Sequence, residues 1–191
     1  MIIDGQDYTL LKDYDAGKYK HLTFDGKVIY LGARVERILI APCREAMKTP
    51  GNDLGLILAT AVCAGISAAS TFYEGREVGP RENRQFFVAF VSRYMRLASQ
   101  SAKPGLSWVE WLYKDVRCGL AHNFTVLSGG IEYEVTSYTE VKTYGPEINP
   151  LELLQDFAEG WSKYLSDVRR DGSGKGLGEK FAARFDQVFH D

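Results

Sequence analysis

Trp108-Val109-Glu110-Trp111-Leu112-Tyr113-Lys114-Asp115-Val116-Arg117-Cys118-Gly119-Leu120-Ala121-His122-Asn123 lies inside an amphipathic run from Leu106 to Phe124. Trp108, Leu112 and Val116, joined by Trp111, recur at helical spacing and form one apolar side. Lys103-Pro104-Gly105 breaks the chain before the run, and Ser107 with Glu110 has the spacing of a capping box. Asn123 is the expected end signal, since Asn tolerates the left-handed conformation. The stretch therefore reads as a central helix carrying an Arg and a His near its end.

Outward from this helix the pattern stays mainly helical. Upstream, Phe86, Phe87, Phe90, Val91, Tyr94 and Leu97 mark an aromatic helix, with Arg84, Arg93 and Arg96 off its stripe. The segment Leu54 to Tyr73 has no charged residue and approaches bilayer-spanning length, about 20 residues. Its Gly, Ala, Ser and Thr content, and the absence of flanking Lys or Arg, make it a tightly packed core helix with no membrane role. Pro50-Gly51-Asn52 precedes it, and Asn52 or Asp53 is a possible cap. A helix is expected from Ala33 to Met47, bent near Pro42. Phe24-Asp25-Gly26-Lys27 followed by Val28-Ile29-Tyr30 reads as a tight turn entering a short strand.

Downstream, Phe124 to Leu127, Gly129-Gly130 and Ile131 to Val135 suggest a β-hairpin, extended by Tyr138 to Tyr144. Pro146 and Pro150 lead to a helix through Leu151, Leu154, Phe157, Trp161, Tyr164 and Val168. Gly172 to Gly178 reads as a flexible linker and Phe181 to Phe189 as a final helix. The expected fold is thus mainly α, a bundle of about five to six helices with a β-hairpin insertion and a short N-terminal β segment. The expected division is 1–32 as an N-terminal β or irregular appendage, 33–170 as the helical domain with a hairpin near 124–144, and 171–191 as linker and last helix.

Composition narrows the function classes. A length of 191 residues suits one well-buried domain, and a net charge of −2 gives no global field for nucleic acid. Cys43, Cys63 and Cys118 are odd in number and scattered, which fits a reducing, cytoplasmic setting better than a disulfide framework. The N-terminus has no basic segment followed by an apolar run, so no signal peptide is expected. Cys118 and His122 share a face at i, i+4, but Cys43, Cys63, His21 and His190 show no paired spacing; no metal and no cofactor are expected. The glycines of 172–178 lack the spacing and the Lys-Ser/Thr ending of a phosphate loop.

Arg117 and His122 remain the chemistry-bearing pair. A guanidinium grips phosphate oxygens, and an unperturbed imidazole titrates at about 6.5, close enough to neutrality to move a proton. On an ideal helix five residues subtend about 140° when taken the short way round, so the two converge only in a fraying last turn or in a groove against a second chain. Tyr113, one turn before Arg117, and Asp115, two turns before His122, are expected to line the same surface, with Cys118 and Asn123 beside it. Gly119 implies that some backbone comes close. The alternative is structural: basic groups at a helix C-terminus complement its dipole and bond its free carbonyls. Arg169, Arg170 and Lys175 are a weaker candidate contact to a phosphate backbone.

The run Trp111 to Asn123 resembles the signature helix of the HEPN superfamily (higher eukaryotes and prokaryotes nucleotide-binding), in which an Arg is followed after four to six residues by a His late in a small helical bundle. The resemblance covers roughly Ala33 to Asn123 and extends to Pro150 to Arg170. It implies a homodimer that binds RNA or nucleotide and cleaves RNA without metal, in a composite site built by two protomers. Within that site the resemblance makes His122 the general base or acid and has Arg117 orient the scissile phosphate. It also implies a toxin or defence role with a cognate antitoxin or partner protein. Many members bind or assemble without cleaving. This chain departs from the commonest pattern at Cys118, where a polar residue such as Asn usually follows the Arg, and so lacks an amide hydrogen bond there.

Overall fold

A computed structural model describes residues 1–8, 19–48, 54–79, 81–100, 104–133 and 137–189. Pro50 to Asp53, Pro80, Lys103, the far end of the strand expected to reach Val135, and His190 lie outside them.

Helix formation begins earlier than the local turn signal suggests. Thr23 caps α1 (Phe24–Val35) by accepting from Gly26 N–H at 3.0 Å, and Asp25 sits favourably in the first turn. Val28, Tyr30 and Leu31 are buried, so tertiary packing overrides the Asp25-Gly26 turn preference, and the expected strand at Val28 to Tyr30 is helical. Gly26 is needed for a different reason: the Asp4 carboxylate and Leu22 occupy the space a Cβ would fill. α1 continues through a π-helical segment, Glu36–Ile40, into α2 (Ala41–Ala46). The widened segment ends just before Pro42, whose missing N–H could not have closed a regular turn.

α3 (Gly55–Glu74) is the small-residue helix and ends on Gly75 in the left-handed region, φ 78°. Its length and apolarity would allow it to cross a membrane, yet one side packs into the core through Leu58, Val62, Ile66, Ala69 and Phe72. The other side carries Leu56, Ile57, Thr60, Ala64 and Ala68 at the surface. α4 (Asn83–Tyr94) buries the expected Phe86, Phe87, Phe90, Val91 and Tyr94. A 3-10 turn, Arg96–Ser99, follows.

The central run is one rod in three pieces: α5 (Trp108–Trp111), a π segment Leu112–Arg117, and α6 (Cys118–Asn123). Ser107 caps it by accepting from Glu110 N–H at 3.4 Å. Asn123 is the last helical residue, but Phe124, not Asn123, takes the left-handed conformation, φ 56° and ψ 28°.

The β elements are small. β1 (Ile2–Ile3) and β2 (Gln6–Asp7) pair antiparallel. Three more strands, β3 (Gly130–Ile131), β4 (Thr139–Val141) and β5 (Pro146–Ile148), form a mixed sheet in the order β3-β5-β4. The hairpin is therefore β4–β5, turned between Val141 and Pro146. Gly129-Gly130 is not its turn: Gly130–Ile131 joins β5 as a parallel strand. Gly129, at φ 88°, leaves no room for a side chain against the Pro146 carbonyl, which fixes this crossing.

Asn149 caps α7 (Pro150–Asp171), accepting from Leu151 and Glu152 N–H, with Pro150 at the first position. The expected linker is a short turn after Gly172, and α8 (Gly176–Phe189) starts inside it. The appendages expected at 1–32 and 171–191 instead share one hydrophobic core with the bundle. Tyr8 packs on Tyr19 and Tyr30, Tyr19 and Tyr30 meet Phe189, Tyr30 also meets Phe185 edge-on, and Phe181 meets Phe72 of α3. The architecture is mainly α with small β additions.

Candidate nucleic-acid interface

The π segment shapes the site. Its Cys118 N–H reaches back five residues to the Tyr113 carbonyl, and the Asp115 carbonyl accepts from Leu127 N–H at 2.9 Å. Trp111 Nε1 donates to the Ser128 carbonyl at 2.6 Å. Thr125 N–H bonds the Gly119 carbonyl at 3.5 Å. Residues 125–128 thus double back along the helix, and Gly119 is the groove they lie in. A Cβ there would collide with the Thr125 carbonyl and meet Leu127 N at 3.1 Å. The close backbone that the glycine implied is the chain's own.

Arg117 is half-buried and faces α3. It lines a recess of about 270 Å³ with Thr60, Cys63, Ser67, Leu120 and Ala121. Its guanidinium lies 5.6 Å from the centre of the Tyr113 ring, and Nη1 donates weakly to Cys118 Sγ at 3.9 Å. Among the described residues no carboxylate pairs with it. Burial pushes the Cys63 thiol up to about 12, against the lowering pull of the Arg117 charge. The Tyr113 hydroxyl is raised as well, first by burial and then by Cys118, with Arg117 opposing. Both groups therefore stay neutral beside a permanent cation.

His122 is exposed on the last turn of α6, and Asn123 and Phe124 beyond it are exposed too. Among the described residues its ring bonds neither a helix carbonyl nor Cys118. Asp115 points elsewhere. It lines a separate recess of about 410 Å³ with Glu110, Trp111, Lys114, Ser128 and Pro146. The structure thus brings Tyr113, Arg117 and Cys118 together, leaves His122 and Asn123 at the open helix end, and separates Asp115 from Arg117. Helix geometry alone accounts for that separation, because residues two apart point about 160° away from each other.

Arg169 and Lys175 are exposed, while Arg170 bonds Asp167 at 2.8 Å. Arg170 also lines a recess with Tyr73, Arg93 and Lys180, and Lys180 lies 3.7 Å from Glu74. Its positive charge is therefore partly neutralised. Thr60 and Ser67 are the site residues that sequence patterns do not reveal. Nothing on α3 marks them until packing sets α3 against α6. No group of three or more His, Cys, Asp or Glu among the described residues is placed to hold a metal. Comparison with family models, curated proteins and solved structures yields no match for this chain.

Proposed function

We propose that this chain is a HEPN-like RNA-binding domain and, as a cytoplasmic homodimer, a metal-independent endoribonuclease of toxin or defence type. One observation carries the reading: a half-buried Arg117 without a carboxylate partner among the described residues, followed five residues later by a solvent-facing His122. A cation in a partly dry recess attracts a phosphate more strongly than a surface cation does. Among the described residues neither side chain bonds a free carbonyl of the helix end.

In the proposed reaction His122 takes the proton of a ribose 2′-hydroxyl, and the oxygen attacks the adjacent phosphorus. The 5′-oxygen leaves with a proton from a second acid, giving a 2′,3′-cyclic phosphate and a 5′-hydroxyl end. Arg117 neutralises the charge that grows on the phosphate. Within one chain Arg117 faces α3 while His122 faces solvent, so a cleft containing both acid and base draws on a second protomer's His122. The other reading is a module that binds RNA without cutting it. It is favoured by Cys118, because the side chain beside the guanidinium is a weak thiol acceptor in place of an amide.

Incubation of purified protein with mixed RNAs in chelator, beside Arg117→Ala and His122→Ala at matched folding, tests the proposal. Cleavage lost in both variants supports the enzyme. Binding without cleavage supports the module, and the absence of both rejects the RNA reading.

A further inference from the structure

Phe124 is the residue that folding explains least. It is 89% exposed and sits at φ 56°, the position after a helix end where glycine is the usual occupant. A phenylalanine there gains almost nothing from burial and carries backbone strain that glycine avoids. The strain is held in place. Phe124 N–H bonds the Gly119 carbonyl, Leu127 N–H bonds the Asp115 carbonyl, and the chain between them lies against Gly119. The ring is therefore presented to solvent from a fixed backbone, two residues beyond His122.

We infer that Phe124 is a stacking platform for one unpaired base of the RNA bound at Arg117 and His122. The inference rests on the RNA reading and narrows its substrate to single-stranded or looped RNA. Every base has a π-face, so an exposed aromatic ring holds a base of any identity, while a continuous A-form duplex keeps its faces covered. A pre-positioned ring loses little freedom on binding, which makes the contact effective. The division of labour is that Arg117 takes the phosphate, Phe124 takes a neighbouring base, and His122 lies between them in sequence.

The test uses the full chain and a fluorescent 2′-O-methyl single-stranded oligonucleotide, which binds but cannot be cleaved. Phe124→Gly should melt at or above the wild-type temperature, because strain is relieved, yet bind about tenfold more weakly. Phe124→Trp should keep the affinity, and its indole emission should be quenched by the oligonucleotide. An oligonucleotide with abasic sites should bind wild type and Phe124→Gly alike. If wild type binds and Phe124→Gly binds equally well, stacking is overturned while the RNA reading stands. If wild type binds no RNA, both fall. A change of oligomeric state in Phe124→Gly on sedimentation makes the ring a protein contact and also overturns the inference.

Discussion

Asp156 and Arg117 are both charged residues on helices of one bundle, and the fold treats them in opposite ways. Asp156 on α7 is 1% exposed and saturated with donors. It accepts from Arg96 N–H at 2.7 Å, Leu97 N–H at 3.0 Å, the Tyr138 hydroxyl at 2.8 Å and Arg96 Nε at 3.4 Å. One carboxylate thus caps the 3-10 turn after α4 and anchors the residue just before β4. Burial, and then Asp156 itself, holds the Tyr138 hydroxyl protonated well beyond its ordinary range. Arg117 has a ring, a thiol and space. A charge fully used by its own fold is architecture, whereas a charge left half-dry, with no carboxylate partner among the described residues, is available to a ligand.

The contrast breaks first at Asp156. Asp156→Ala orphans the buried Leu97 N–H and Tyr138 hydroxyl and the part-buried Arg96 N–H, and should cost about 3–5 kcal/mol in denaturant titrations. A loss below about 1 kcal/mol would show that the hub holds nothing together. Gly119→Ala comes next. Its methyl must displace the backbone of residues 125–127, so a loss of about 1–3 kcal/mol is expected, with faster amide exchange at Leu127. An unchanged melt would mean that the segment lies loosely on the helix.

The pH dependence sharpens the comparison further. Cys63 and Tyr138 have folded-state values above their ordinary ones, so the folded state keeps protons that the unfolded chain releases. The stability Cys63 contributes is fully present below about pH 9 and is lost as pH rises towards about 12, and that of Tyr138 is lost in the same direction, above its ordinary range. Each group contributes a slope of at most about 1.4 kcal/mol per pH unit. Cys63→Ala should flatten the alkaline limb of a stability-against-pH curve; an identical slope would mean that Cys63 ionises freely in the fold. Least of all should stability respond to Arg117→Ala, by about 0.5 kcal/mol or less, since among the described residues the guanidinium makes no strong bond.

What the sequence discloses follows the range of each interaction. The stripes at Phe86 to Tyr94 and Trp108 to Val116, the Ser107 cap and the start of the Pro150 helix are local and legible. Phe24 to Tyr30 misleads because a local Asp-Gly preference of small size yields to burial of Val28, Tyr30 and Leu31. The Gly130–Ile131 pairing with β5 is parallel and non-local, so adjacent turn residues point to the wrong partner. Asp156 looks like any polar residue on an amphipathic helix until Arg96 and Tyr138 arrive from elsewhere in the chain. Arg117 and His122 are found as a motif, but the α3 wall with Thr60 and Ser67 exists only after packing. The left-handed residue is displaced by one, from Asn123 to Phe124, because helix ends are set by the hydrogen bonds of the returning segment.

The central claim is that Arg117 is a phosphate-binding cation. The most direct measurement is the salt dependence of affinity for an uncleavable single-stranded RNA, for wild type and Arg117→Ala. One lost phosphate contact should weaken binding across all sequences and reduce the slope of log K against log salt by about 0.7. Equal affinities with equal slopes would contradict the account and leave Arg117 a spectator in its recess.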